Sequence, residues 1–588
     1  MYHQSAGPRR EHSVSTENVS YVKGLPLRDA YEGELVALDL EMFSQSEGRL
    51  HRPHGTFACL SVSFERGLDG TPGVRTNCLI EDVHDLRELL RRVRRGKWVF
   101  NNAGYDIRQL RRFVDIPQRS VWDTMLIEAG LFSGWYDSYG LADLYRRWTG
   151  NVISKELQSE FGKVSMLSDQ LRAYAIRDSR STLEIAVAQN AYISSQGFSI
   201  KHYSLIDEPC MWAIMDMSPA RIDVDGWLKL AEFHEAEGLR IQEELGFNVY
   251  SHTQTKAALK SAGIIVRSTN RKDVLGPTTR KLRAEGKNTG ADYLQKVIDA
   301  RVFRKAASTY GKEWVDQHVE EGGLVYGDFW TIGARSSRMA CSNPNLQNIP
   351  TRELPIFRKL FISRFDQGVI HVADCWQQEV CILAWLSEDK NLVAALRERR
   401  DLHQETADDF RLSRRDGKDI NLGLGYGMSA QGLAKRTGIS LNEAEAGITL
   451  RKQRYPDVMA WGDRQRKNAF AQDFVETSTG RRLWINRYDR QWERHAINLP
   501  IQGTAADHTK LWFVLCHQFS RSERIPFRIP LVVHDELVAD VPLGENEQWK
   551  GLLASTGALS GKEVVPGMDM SIGVQVGESW GAKNGETI

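Results

Sequence analysis

The order of apolar and polar positions divides the chain of 588 residues into three stretches. In the first, about residues 33 to 200, GELVALDLEMF (33–43) and KWVFNNA (97–103) read as strands, whereas VHDLRELLRRVRRG (83–96) and LSDQLRAYAIRDSRSTLEIAVAQNAYI (167–193) repeat apolar residues with helical period. Ser168 is placed to cap the second of these helices. From 205 to 320 the pattern is almost wholly helical, with a break predicted at STNRKDVLGPTT (268–279), which is rich in turn formers. From about 325 strands return in GLVYGDFW (323–330), GVIHVAD (368–374) and LVVHDELVAD (531–540), interrupted by a helical block from about 386 to 475. The pattern predicts a multidomain protein: an α/β unit, then a helical unit, then an α+β unit with a helical insertion.

Composition narrows the classes. With 41% hydrophobic and 26% charged residues this is ordinary globular material, and no apolar run approaches the ~20 residues of a membrane helix. The opening MYHQSAGPRREHSVSTENVS lacks the apolar core of a signal peptide, so residues 1–30 are expected to be a loose polar leader and the protein to stay in the cytoplasm. Seven scattered cysteines without a CxxC pair fit reduced thiols. His51 and His54 stand as HxxH but lack a partner pair, and read as an exposed loop. The net charge of +1 hides an asymmetry: residues 255 to 312 hold 14 Lys and Arg against 4 Asp and Glu, a local +10 that leaves −9 elsewhere. Segregated positive charge of that size suits a polyanion such as nucleic acid, although a solvated basic face would look the same.

Candidate chemistry appears first in ELVALDLEM, where Asp39 and Glu41 are two residues apart and share one face of a strand, with Val36, Leu38 and Leu40 on the other. NNAGYD puts Asp106 at the start of a helix, and YAIRD sets Tyr174 and Asp178 four residues apart on one helical face. In this order the motifs resemble those of the DEDDy 3′–5′ exonucleases, DxE, Nx3[FY]D and Yx3D. The resemblance implies Asp39, Glu41, Asp106 and Asp178 as metal ligands and Tyr174 as the residue that orients water. Phosphodiester hydrolysis of this kind uses two divalent ions ~4 Å apart, and hard cations prefer carboxylate oxygen. Asn101 stands before Asn102 where many relatives have His, which leaves the ligands untouched.

A second constellation lies in the last third. LVVHDELVAD is a buried ribbon with His534, Asp535 and Glu536 in its middle, where charge is costly to desolvate. GVIHVAD ends on Asp374, and if the HDE segment is a hairpin tip beside it, Asp374 and Asp535 can converge on cations that cancel their charge. Between them, Ser413 and Asp416 resemble a capping box opening a helix on which Arg415, Lys418, Leu422 and Tyr426 fall on one face. Arg414, Arg415 and Lys418 near its N-terminal end suit a triphosphate. Gly423, Gly425 and Gly427 each cost that helix about 1 kcal/mol relative to Ala, and close approach of a ligand would account for them.

These stretches resemble family A DNA polymerases, the DNA polymerase I type. Motif A reads DCWQQEVC (374–381), motif B RRDGKDINLGLGYG (414–427) and motif C HDE (534–536); RMACSNPNLQNIP (338–350), DLHQETA (401–407), TGRRLW (479–484) and ERHAINLPIQGTAAD (493–507) are also family-like. The resemblance implies a ribonuclease H-like exonuclease domain (31–204) followed by a right-hand polymerase: thumb 205–325, palm 326–385 and 491–588, fingers 386–490. It implies that Asp374 and Asp535, with the carbonyl of Cys375, hold metal and that Glu536 stands beside them. Arg414, Arg415, Lys418 and His403 would bind the triphosphate, Lys418 also giving a proton to pyrophosphate. Glu379 would gate against a ribose 2′-hydroxyl, with Tyr426 closing over the new pair. Gln377, Leu422 and His534 would border the nucleotide; Arg338, Arg494, Asn498 and Gln502 would touch primer and template; Arg301 and Lys305 would grip duplex phosphates.

The expectation is therefore a proofreading DNA polymerase with two Mg²⁺ at each site, replaceable by Mn²⁺. Its partners would be primer-template DNA and dNTPs, with helicase, primase and single-strand binding protein as candidate replisome partners, no membrane, and a monomeric state. A chain that begins at the exonuclease leaves no room for a 5′ nuclease domain, which suggests a bacteriophage replicative enzyme acting in the host cytoplasm. Departures in motif A (Cys375, Trp376, and Cys381 in place of the family's Arg) make a repair or lesion-bypass polymerase the second reading and a catalytically dead primer-template scaffold a third. Leu422 replaces the usual aromatic and puts dideoxynucleotide discrimination in question.

Overall fold

The computed structural model describes residues 21–26, 28–43, 55–67, 71–350, 354, 356–425 and 427–581, with the side chains of 72–74, 272, 273, 415, 418, 419 and 422 left out. Residues 1–20 of the leader and the His51/His54 pair lie outside the described residues. The N-terminal unit is built on a six-stranded sheet: β1 (Val22–Lys23), β2 (Leu35–Phe43), β3 (Thr56–Arg66), β4 (Pro72–Ile80), β5 (Lys97–Phe100) and β6 (Val121–Asp123), in the order β1-β4-β3-β2-β5-β6. β2 runs antiparallel to β3 and parallel to β5. Apart from Asp39 and Phe43 every residue of β2 is buried, because the sheet is covered on both faces.

Two helices carry the rest of the acidic motifs. α1 (Ala103–Leu110) begins where the Asp123 carboxylate accepts from the backbone N–H of Asn102 (3.1 Å) and Ala103 (2.8 Å). α2 (Asp169–Gln196) starts as predicted, with Ser168 Oγ accepting from Leu171 N at 3.3 Å. It lies close on β3 because small residues face it: Ser61 Oγ donates to the Ala175 carbonyl (2.8 Å) and Ser63 Oγ meets Ser179 Oγ (2.9 Å).

The helical unit packs α3 (Val224–Leu245) on α4 (Asn288–Tyr310). The predicted break sits earlier than expected. The helix His252–Ser261 ends, and helical structure resumes at Arg271. Pro277 falls where the helical turn Arg271–Leu275 passes into the helix Gly276–Ala284, so the Gly-Pro pair lies inside a helical stretch instead of breaking it.

The last unit is centred on a four-stranded antiparallel sheet of β7 (Gly368–Cys375), β8 (Leu531–Val533), β9 (Glu536–Pro542) and β10 (Ile572–Gly577), ordered β8-β9-β7-β10. Val369, Val372, Val532, Val538 and Trp512 sit in the core beneath it. GLVYGDFW is not one strand: Leu324–Val325 and Asp328–Trp330 join different sheets, and at Gly327 between them a Cβ would meet Cys341 Sγ at 2.5 Å. Between β7 and β8 come α5 (Gln378–Ser387), α6 (Leu402–Phe410), α7 (Arg414–Gly425), further helices to Gln472, and α8 (Trp492–Ser522).

The helical segment Tyr203–Met215, whose Tyr203, Met211 and Trp212 pack in the core of the N-terminal unit, is tied to the third unit by a buried ionic network. Arg481 reaches the two oxygens of Asp207 at 2.9 and 3.0 Å and Asp507 Oδ1 at 2.8 Å, while Lys510 Nζ lies 2.5 Å from Asp207, all of them inaccessible. Burial alone would raise the Asp207 carboxyl, and Arg481 and Lys510 outweigh it and hold it far below the usual range. Beside the network Trp484 donates to the Leu131 carbonyl (2.7 Å) and stacks on Phe132 at 5.8 Å. Among the described residues no helix is long and apolar enough to cross a membrane.

Candidate active sites

The first acidic cluster forms where β2 meets α2. Oxygens of Asp39, Glu41 and Asp178 lie within 4.8 Å of one another. Asp39 Oδ2 and Asp178 Oδ1 are buried and have no hydrogen-bond partner, which is the state of an acceptor directed at a cation. Asp106 faces the same cluster from α1, but its Oδ1 accepts from the Leu40 N–H at 2.9 Å. Burial, and then the neighbouring Asp178, push the Asp39 carboxyl up to about 7, and Lys155 opposes them. Burial with Asp39 and Asp178 nearby likewise raises Glu41, and burial followed by Asp39 raises Asp106. Crowded, desolvated carboxylates of this kind favour a proton or a metal ion over bare charge. The Tyr174 hydroxyl stands at the edge of the cluster with Lys155, a residue that belongs to no recognised motif, 3.2 Å away.

The second cluster answers the charge problem of LVVHDELVAD. β8 and β9 form a hairpin whose tip is His534 and Asp535, with His534 at φ 58°, and β9 pairs with β7 so that Asp374 lies opposite Glu536. The Cys375 N–H donates to the Asp535 carbonyl at 3.3 Å. The strand end carrying Asp374 and the tip carrying Asp535 are therefore adjacent, and both residues are only partly buried. Glu536 is tied down: its Oε1 accepts from Arg358 (3.0 Å) and from Trp580 Nε1 (2.6 Å), and Arg358 stacks on the Trp580 ring at 3.9 Å. Arg358 and Trp580 lie outside the motifs.

Around this centre the candidate substrate residues take separate positions. Arg338 Nη2 donates to Glu379 Oε1 at 2.8 Å. Gln377 opens α5 at φ 47° with its Oε1 buried and without a partner. Arg494, Asn498 and Gln502 follow one another at four-residue spacing on α8, and Asn498 Oδ1 is also without a partner. His403 is buried on α6 with Nδ1 3.2 Å from Asn421 Nδ2, and Arg414 makes an exposed pair with Asp401 at 2.7 Å. Tyr426 and the side chains of Arg415, Lys418 and Leu422 lie outside what is described. Cys375 and Cys381 are buried thiols; Arg399 lies 4.8 Å over the Trp376 ring and pairs with Asp569 at 2.6 Å. A guanidinium from another segment thus stands near the position where Cys381 replaces Arg.

Two sequence expectations are corrected. Gly417 and Gly427 serve the fold. Gly427 lies past the helix end at φ +73°, and Met428 N bonds to Gly423 O (2.9 Å) and Gly427 N to Leu424 O (3.0 Å), a Schellman termination. At Gly423 a Cβ would meet only the flexible end of Met428, with Cε at 2.4 Å, whereas the close backbone contact of α7 falls on Gly417, whose Cβ would lie 2.2 Å from the His403 carbonyl. Arg301 is turned inward: it donates to the carbonyls of Val249 (2.6 Å) and Thr269 (2.7 Å) and to Thr255 Oγ1 (3.1 Å), tying the segments on either side of the helix His252–Ser261 to that helix and committing three of its five N–H donors. Lys305 is exposed.

Comparison with known proteins defines the class. The profile described as DNA polymerase family A matches residues 229–582, and that described as 3′-5′ exonuclease matches residues 27–188. The chain belongs to DNA polymerase family A. It is 39% identical over 268 residues to DNA polymerase I of Pseudomonas aeruginosa, covering 42% of this chain and 29% of that protein. It is 28% identical over 459 residues to DNA polymerase I of Chloroflexus aurantiacus, covering 72% and 47%. The chain thus spans less than half the length of these curated relatives. Its fold matches the POL domain of Pol1 from M. smegmatis with a TM-score of 0.77 at 23% identity, over 94% of this chain and 96% of that one.

Proposed function

We propose that the chain is a template-directed DNA polymerase that adds dNTPs to a primer 3′-hydroxyl and whose N-terminal unit excises mispaired 3′ ends. The observation that carries the reading is the presence of two separate acidic centres, each built on the sheet of a unit that matches the corresponding family. The fold neighbour was solved with DNA primer-template and dNTP, which supports these as the substrates.

Both centres suit hard divalent cations, proposed as pairs of Mg²⁺ that Mn²⁺ can replace. Asp39, Glu41 and Asp178 offer clustered oxygens, two of them buried without a partner, with Asp106 in reserve behind Leu40. Asp374, Asp535 and the Cys375 carbonyl would hold the ions of the polymerase centre. Bound there, divalent cations supply Lewis acidity that lowers the pKa of an attacking hydroxyl or water and neutralises charge on phosphate oxygens.

The chain's own groups do the remainder. The primer hydroxyl attacks the α-phosphate in line while Arg414, Arg415 and His403 hold the triphosphate and Lys418 protonates pyrophosphate. Arg414 can exchange its exposed Asp401 partner for phosphate at small cost, since such surface pairs are worth ~1 kcal/mol or less. Glu379, held by Arg338, would act as the sugar gate together with Tyr426, and Gln377, Leu422 and His534 would border the nucleotide. Arg494, Asn498 and Gln502 present one helix face to the primer-template, with the Asn498 oxygen open to a donor. Arg358 and Trp580 fix Glu536 and, through it, the hairpin tip.

A primer-extension assay with Mg²⁺ on a defined template tests this. The expected result is templated extension of a matched primer and removal of a mismatched 3′ nucleotide before extension. Absence of templated incorporation by folded protein would overturn the proposal.

A further inference from the structure

The N-terminal acidic cluster contains a cation of the chain's own. Lys155, just ahead of the short helical turn Glu156–Glu160, places Nζ 2.5 Å from Asp178 Oδ2 and 3.2 Å from the Tyr174 hydroxyl. Its side chain keeps 30% of its surface in solvent, against 2% for Asp178, so the ammonium reaches down into the cluster from its rim. The segment that carries it is anchored. Arg177 Nη2 donates to the Ser154 carbonyl at 2.6 Å, and the Arg177 guanidinium lies 5.0 Å from the Tyr174 ring centre, so Tyr174 is flanked by two cations.

The other oxygen of the same carboxylate, Asp178 Oδ1, and Asp39 Oδ2 are buried without partners, and Glu41 completes a set of oxygens within 4.8 Å. A divalent ion that engages Asp178 must enter the space next to the ammonium. Two like charges sharing one carboxylate in a desolvated site repel, so both cannot be held there at full strength.

We propose that Lys155 is the exchangeable counter-ion of the nuclease centre. With no divalent ion bound, its ammonium neutralises Asp178; on cation binding it gives up Asp178 and stays on the Tyr174 hydroxyl, as a positioning residue for that phenol. The consequence is a built-in threshold. Lys155 weakens cation binding until an incoming strand supplies a phosphate to receive the displaced ammonium, which couples cation occupancy to the arrival of DNA. The inference rests on the reading of Asp39, Glu41 and Asp178 as a divalent-cation site.

The test is Mn²⁺ titration followed by electron paramagnetic resonance on the full chain carrying Asp374→Asn and Asp535→Asn, so that bound Mn²⁺ reports the N-terminal cluster alone. Adding Lys155→Met is expected to tighten Mn²⁺ binding by about tenfold. Lys155→Gln, which keeps a hydrogen-bond donor and loses the charge, should do the same. Both variants should melt at a lower temperature than the parent in EDTA and at no lower a temperature in saturating Mn²⁺, a crossover that a merely structural lysine would not produce. Unchanged or weaker Mn²⁺ binding in both neutral variants would overturn the role of Lys155 alone. If the parent shows no bound Mn²⁺ that Asp39→Ala removes, the cation-site reading falls, and this inference with it.

Discussion

Asp535→Ala is expected to reduce primer extension by about 10³-fold or more, the upper end of what one lost electrostatic contact costs a transition state, while excision of an unpaired 3′ end stays near the parent rate. Asp39→Ala should do the reverse. The expectation follows from where the carboxylates sit. Asp535 lies at a hairpin tip whose link to Cys375 is made by its backbone carbonyl, which the substitution leaves in place. Asp39 lies in a strand paired with β3 on one side and flanked by β5 on the other, so its removal takes away a charge and keeps the strand. No residue of either cluster belongs to the other sheet. Extension and excision on 5′-labelled primers with matched and mismatched ends measure both activities. Loss of both from either substitution in a folded protein would refute the division into two centres.

Arg481→Met is expected to cost about 3–5 kcal/mol of stability, because it leaves the buried Asp207 and Asp507 carboxylates with only Lys510 between them. Asp507 would retain Thr477 and Thr479, at 3.1 and 2.6 Å, and Asp207 would retain Lys510, so the penalty is smaller than for two wholly unpaired charges. Adding Asp507→Asn should recover part of it by removing the surplus negative charge. Urea denaturation followed by tryptophan fluorescence reads the effect. A midpoint unchanged in Arg481→Met would mean that this network does not hold the N-terminal unit to the long helix α8.

Which parts of this were legible in the sequence depends on the range of the interaction. Ser168 capping α2, the single-face pair Asp39 and Glu41, and the i,i+4 pair Tyr174 and Asp178 are local and could be read directly. The hairpin at HDE was legible because buried carboxylates in an apolar ribbon demand a compensating arrangement. Strand β3 carries an apolar–polar alternation from Leu60 to Glu65, yet its polar positions Ser61 and Ser63 are buried against α2, a contact that the local sequence does not reveal. Gly427 pointed to a ligand only because the alternative, a left-handed helix end, depends on the chain beyond the helix. The resemblance implies Arg301 as a phosphate ligand, and the carbonyl partners that turn it inward lie 32 and 52 residues away. Lys155, Arg358 and Arg481 share this cause: each acts on a carboxylate 23, 178 or 274 residues distant, and although Arg481 falls in TGRRLW, that string does not name its partner.

Both proposed activities depend on carboxylates from remote segments sharing cations at two places. Anomalous diffraction from Mn²⁺-soaked crystals of the full chain with primer-template and a non-hydrolysable dNTP tests this most directly. Manganese peaks held between the carboxylates of Asp374 and Asp535, and others within coordination distance of Asp39, Glu41 and Asp178, are the predicted result. Ordered Asp374 and Asp535 side chains that turn apart, with no manganese between them, would contradict it.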